Sequence, residues 1–196
     1  MPCLARPPTR PLPISTVRVY HNARDILMNP AEAKAIANMF IEGLEREYET
    51  TKKVIAAVPE SQLDFKLGDK GRTMREITWH LIASEAWFAD GIASGSFMHS
   101  EAPPPPGGTA EMAAFYSKEM PAKLAKLKQL SGEQLAEIIN FFGVMQVPNV
   151  MLLGFLNNHS IHHRGQLSTY LRAVNAHVPS IYGGSADEPF QMPATA

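Results

Sequence analysis

Two histidines four residues apart, His159 and His163, lie in the segment Asn157-Asn158-His159-Ser160-Ile161-His162-His163-Arg164-Gly165-Gln166-Leu167. In a helix that spacing puts both imidazoles on one face, one turn apart. Leu152, Leu156, Leu167, Tyr170 and Val174 fall on or beside the same stripe, so the pair is predicted to point into the core. A polar group buried without a partner costs about 1–3 kcal/mol, and two on one turn call for an explanation. His80, in Thr78-Trp79-His80-Leu81, shares a stripe with Ile77, Ala83, Ser84 and Trp87 and faces inward as well. Three neutral imidazoles from two packed helices can supply three corners of a tetrahedron at about 2.0–2.1 Å from zinc, leaving the fourth for water or substrate. Imidazole also suits nickel, iron and copper, so zinc is a first expectation and not a deduction. The plainer reading of any one inward histidine is a hydrogen-bonded core residue, and the i,i+4 pair alone is only a partial metal signature.

The neighbouring polar residues are weighed the same way. His162 lies about 100° from His163 around the helix axis and is left out of the ligand set. His21, His99 and His177 fall in or beside connecting segments and read as surface residues. Glu76, one turn before His80, could serve as a carboxylate ligand or general base. Its preferred reading is the glutamate of a capping box opened by Thr73. Glu85 and Asp90 are expected to be solvated, and Arg164 to pair with a carboxylate on a neighbouring helix.

These side chains need a helical scaffold, and the composition suits one. The chain has 196 residues, 45% hydrophobic and 19% charged, with the size of one domain with a substantial core. A net charge of −1 provides no basic surface to steer it onto nucleic acid or anionic membranes. No apolar run approaches the roughly twenty residues of a membrane span, and the N-terminus lacks the apolar region of a secretory signal. The single cysteine, Cys3, permits neither an internal disulfide nor a thiolate metal site. A cytoplasmic location is expected.

Residues 1–30 carry prolines at 2, 7, 8, 11, 13 and 30 and read as a disordered tail. Met28, just before Asn29-Pro30, is a candidate start of translation. Ala33, Ile36, Ala37, Phe40, Ile41, Leu44, Tyr48, Ile55 and Val58 follow helical spacing from Ala31 until Pro59. A second helix is predicted from the Thr73 cap to Ser94, and a third from a Thr109 cap to Leu130, kinked or broken at Pro121. Ser131 to Glu137 reads as a short capped helix, and Phe141-Phe142-Gly143 as an apolar turn. A fourth main helix is expected to begin with Pro148 in its first turn and to reach about Asn175. No strand pattern of useful length is visible. The expected class is all-α, a four-helix bundle over residues 31–188, with a short tail at 189–196.

Three features resemble the DinB-like family, also called the DinB/YfiT-like metalloenzymes: Trp79-His80-Leu81 in the second helix, the His-x-x-x-His-Arg-Gly-Gln pattern from His159 to Gln166, and Tyr170-Leu171-Arg172 after it. Asn29-Pro30 and the closing Pro179-Ser180-Ile181-Tyr182-Gly183 with Ser185-Ala186-Asp187 resemble one branch of the family, so the likeness spans about residues 29–188. It implies an up-down-down-up four-helix bundle, usually homodimeric, holding a divalent metal through the matching His80, His159 and His163. Some relatives join a low-molecular-weight thiol to an electrophile, and others isomerise or hydrolyse. In the first case the metal would favour the thiolate of a coordinated thiol; in the second it would lower the pKa of bound water. The alternative is a stress-associated protein that binds a metal or small ligand without turnover.

Overall fold

In the computed structural model the described residues are 27–98 and 102–192. Expectations for the Pro-rich stretch up to residue 26, including Cys3 and His21, and for His99 lie outside them. Four long helices, α1 (Pro30–Ala56), α2 (Met74–Ser94), α3 (Thr109–Lys128) and α5 (Met151–Ala173), form the bundle. The short α4 (Gly132–Ala136) and an antiparallel hairpin, β1 (Ile138–Phe141) with β2 (Met145–Pro148), connect α3 to α5. Helix α2 packs against α5 and α3, and α1 against α3 and α5, which closes a ring of four helices around one core. The core includes Ile41 and Ile55 from α1, Ile77 and Leu81 from α2, Met112 from α3 and Leu152, Leu156 and Leu167 from α5, each no more than 1% exposed. No helix among the described residues is long and apolar enough to cross a membrane.

Local chemistry fixes the helix ends. Asn29 accepts from the Ala31 amide at 2.8 Å and Pro30 occupies the first turn of α1, where its missing N–H costs nothing. Thr73 and Glu76 form the anticipated reciprocal box at the start of α2, the Glu76 amide reaching Thr73 Oγ1 at 3.1 Å and Glu76 Oε2 accepting from the Thr73 amide at 2.6 Å. Gly95 closes α2 with φ at 68°, a left-handed conformation that glycine adopts without a Cβ penalty. Ser131 caps α4, its Oγ accepting from the Gln134 amide.

Three expectations are corrected. Thr109 is the first residue of α3 and not its cap; Gly108 takes that place, and Thr109 donates its amide to Glu60 Oε2 at 2.7 Å. Pro121 does not interrupt α3, which runs continuously through it. The proline removes the amide that would bond the carbonyl four residues back, at Ser117, and the Tyr48 hydroxyl of α1 reaches that carbonyl at 3.3 Å. Pro148 ends β2 instead of opening a helix, because the preceding residues pair across the hairpin, Ile139 with Val147 and Phe141 with Met145. The turn that closes the hairpin holds Phe142 at φ 55° and Gly143 at φ 71°, with Asn140 Oδ1 accepting from the Gly143 amide at 2.8 Å.

Because the box at Thr73 starts the helix that carries His80, Thr73→Ala is expected to cost about 1 kcal/mol in urea-unfolding free energy. Thr73→Ser, which keeps the acceptor, should recover most of that loss.

Candidate metal centre

Helices α2 and α5 bring the three predicted histidines together. His80 sits two turns into α2, and His159 and His163 occupy successive turns of α5. Nε2 of His163 lies 3.1 Å from Nε2 of His80 and 3.1 Å from Nε2 of His159. The ring planes are steeply inclined to one another, 90° between His80 and His163 and 64° between His159 and His163. The three rings are therefore turned to aim the same atom type at one place instead of stacking. His163 is buried, and His80 and His159 are half-buried.

The second nitrogen of each ring shows which tautomer the surroundings select. Gln166 Oε1, three residues along α5, lies 3.0 Å from His163 Nδ1 and so takes its proton, leaving Nε2 as a bare lone pair. His80 Nδ1 lies 3.4 Å from Ser84 Oγ, whose own proton goes to the His80 carbonyl. His159 Nδ1 is buried without a hydrogen-bond partner among the described residues. Burial disfavours the imidazolium form at all three. It lowers His80 to about 4, with Arg72 and His163 adding like charge, and lowers His159 to about 4, with His163 and His80 adding to the effect. His163 is lowered too, by burial first, against the opposing hydrogen bond to Gln166.

One lone pair on His163 can accept one hydrogen bond, yet it faces two imidazole nitrogens at equal distance. Three neutral rings with converging nitrogens suit a shared cation. Ligands at about 2.0–2.1 Å in a tetrahedron stand about 3.3 Å apart, close to the separations found here. The donor set fits a borderline divalent metal. His80 and His159 also line a cavity of about 340 Å³, with Ser84, Trp87, Phe88 and Pro103 among its other walls.

The other candidates separate from this cluster. His162 is exposed, although its ring centroid is 4.7 Å from that of His163. His177 is exposed and pairs with Glu188 at 2.8 Å. Glu76 is committed to its capping box, whose hydrogen bonds from Thr73 lower its pKa. Asp90 is exposed as expected and pairs with Lys123 at 2.7 Å.

Glu85 is the exception: it is buried, not solvated, and accepts from the Tyr116 hydroxyl at 2.6 Å. The stripe of α2 that holds it faces α3, where the tyrosine makes burial tolerable. Burial raises its pKa, against the hydrogen bond from Tyr116 and the more distant Arg164. Arg164, adjacent to His163 in sequence, turns its buried guanidinium away toward α1. It donates to Thr51 Oγ1 at 2.9 Å, pairs with Glu47 and meets the Tyr182 hydroxyl, which also donates to Glu47 Oε2 at 3.0 Å. The expected partner carboxylate is thus Glu47, and the arginine joins α5 to α1 and to the closing segment.

The sequence places Ser84 on the stripe of His80 and Gln166 at the end of the histidine pattern but assigns neither a role. Each lies one turn beyond a histidine, at i+3 and i+4, the positions from which a side chain can reach the ring on the preceding turn.

Since the folded state holds Glu85 protonated to higher pH than the unfolded chain does, its contribution is full at acid pH and is lost as pH rises. Denaturant titrations should therefore show Glu85→Gln gaining stability relative to wild type between pH 5 and pH 8. A constant difference across that range would remove the burial argument.

Comparison with known sequences and structures supplies the context. The sequence model of the DinB family matches residues 32–191. The chain is 32% identical over 154 residues to the uncharacterized protein YrdA of Bacillus subtilis (strain 168), covering 76% of this chain and 89% of that one. A crystal structure of a DinB-like protein from Bacillus cereus superposes with a TM-score of 0.64 at 26% identity, over 73% of this chain and 95% of that one. The DinB-like protein YjoA of Bacillus subtilis shares the fold, with a TM-score of 0.60 at 22% identity over 74% and 96% of the two chains. By its match over nearly the whole bundle, the chain belongs to the DinB family.

Proposed function

We propose that the chain binds one divalent metal ion through Nε2 of His80, His159 and His163 and acts as a metal-dependent enzyme on a small substrate. The observation that carries this reading is the convergence of three neutral imidazoles, with Nε2 of His163 3.1 Å from Nε2 of each of the other two and His163 held in the tautomer a ligand needs. Zinc is favoured by the all-nitrogen set, with nickel and iron as alternatives.

When bound, such an ion supplies Lewis acidity, lowering the pKa of a coordinated thiol or water. The chain's own residues do the rest. Gln166 orients His163, and Ser84 stands beside His80. The cavity bordered by His80 and His159 gives a small molecule access to this part of the bundle, which favours turnover over storage of the ion. Transfer of a low-molecular-weight thiol to an electrophile, or hydrolysis, is the chemistry we assign. A reducing cytoplasm suits either, since the sole cysteine has no disulfide partner within the chain.

A homodimer is part of the same proposal. Met39 on α1 and Met151 and Phe155 on α5 are exposed apolar residues of helices that pack together, with the Phe40 ring 3.3 Å from where a Cβ on Gly154 would stand. Sedimentation equilibrium should find a two-chain species, converted to monomer by Phe155→Glu.

Elemental analysis of purified protein should give about one divalent ion per chain, and loss of it in His159→Ala and in His163→Ala. Zinc at a hundredfold excess over its Kd should add about 2.7 kcal/mol to wild-type stability and nothing to those variants. A metal-free wild type with unchanged stability in zinc would overturn the proposal. In a screen of thiols with electrophiles and of hydrolysable esters and amides, zinc-loaded wild type should turn over at least one class, and His80→Ala should not.

A further inference from the structure

The cavity beside the histidines has walls of a definite chemical type. Its volume of about 340 Å³ is more than twice that of an engineered cavity of about 150 Å³ known to hold benzene, so it has room for about two rings. Ala83, Trp87, Phe88, Ala102 and Pro103 are its apolar lining residues, and none of the described lining residues is Asp, Glu, Lys or Arg. A charged body lying against these described walls would give up its hydration without gaining an ion pair from them; Arg72, whose charge is felt at His80, is not among them.

The aromatic walls are also held in place from behind. The Trp87 indole N–H donates to the Met98 carbonyl at 3.2 Å, and its ring lies nearly parallel to that of Phe142, at 4° and 5.9 Å between centroids. Phe141 lies parallel to Phe88 in the same way, at 9° and 6.2 Å. Both phenylalanines come from the hairpin. Pro103 is held by its carbonyl, which accepts from the Trp79 indole. The walls therefore stand ready without a ligand to organise them, which lowers the entropy cost of binding a rigid partner.

We propose that this cavity selects substrates by a flat, uncharged, apolar body of one or two rings, with Trp87 as the specificity-determining wall and the hairpin residues Phe141 and Phe142 as its positioning support. The proposal rests on the reading of the adjacent histidines as the reacting centre only for the word substrate; the cavity and its preference stand on their own geometry. The polar, reacting end of such a molecule would lie toward His80 and His159, the two members of the cluster that border the cavity.

The test is binding of 1-naphthalenemethanol, compared with the polar propane-1,3-diol, to the full chain with and without one equivalent of zinc. The readout is the two indole N–H resonances, Trp87 and Trp79, assigned with Trp79→Phe. The aromatic alcohol is expected to shift the Trp87 resonance saturably and to bind at least about thirtyfold tighter than the diol, the advantage of burying its rings. Trp87→Ala should lose at least tenfold of that affinity while keeping the zinc content of wild type. Ala83→Leu, which fills the cavity and leaves the aromatic support intact, should block binding and guards against a folding defect in the first variant. Equal affinity for the two alcohols, an unmoved Trp87 resonance, or undiminished binding in both variants would overturn the proposal. If wild type fails to take up zinc, the metal reading falls, while the titration without zinc still decides the cavity.

Discussion

Everything distinctive in this bundle depends on a geometric demand made of two helices. Three imidazoles can aim Nε2 at one place only if α2 and α5 pack closely, in a fixed axial register, with His80 level with the turn that carries His159 and His163. A slip of one residue would rotate each ring by about 100° around its helix and scatter the nitrogens. Apolar packing alone tolerates such slips more readily, because Leu and Ile fill space without directional bonds. The register must therefore be fixed elsewhere, and most of the polar contacts in the interior serve that end.

Two buried ionisable groups, Arg164 and Glu85, do so from the side of α5 and α2 away from the histidines. Arg164 reaches Thr51 and Glu47 on α1 and the hydroxyl of Tyr182 beyond α5, fixing the rotation of α5 about its own axis. Glu85 meets Tyr116 of α3 and fixes that of α2. Residues of the same helix thus divide the labour, adjacent in α5 (His163 and Arg164) and five positions apart in α2 (His80 and Glu85), one turned toward the cluster and the other toward the scaffold. Such polar anchors are poor sources of net stability, since desolvation offsets most of the attraction, but they penalise misalignment sharply. Asn149 does the same for the hairpin, donating from Nδ2 to the Ile92 carbonyl at 2.9 Å.

The bundle and its histidine cluster were legible in the sequence because both rest on periodicity. His159 and His163 are spaced for one face, and Leu152, Leu156 and Leu167, all fully buried, mark which face it is. Caps at Thr73 and Ser131 were readable from residue type, whereas the same reading misplaced the α3 cap by one residue, at Thr109 instead of Gly108. What could not be read depends on partners distant along the chain. Glu85 looks like any surface glutamate until Tyr116, thirty-one residues later, is placed against it. Pro121 looks like a break until Tyr48 offers a hydroxyl to the carbonyl it orphans. The hairpin strands, four residues each, are too short for alternation to register, and Pro148 argued for the helix start that in fact comes three residues later, at Met151.

The hairpin also separates two tasks that many sites combine. The three clustered histidines project from long helices in the bundle interior, where almost any change disturbs packing on several sides. The aromatic wall next to them is braced by Phe141 and Phe142, near the tip of a connection whose turn is exposed. Substitutions or length changes in that turn can reshape the recess while leaving the helices and their histidines untouched. Divergence within such a scaffold is then channelled: the shape of the recess changes by editing one short ribbon, and the inherited histidine cluster is carried along unchanged.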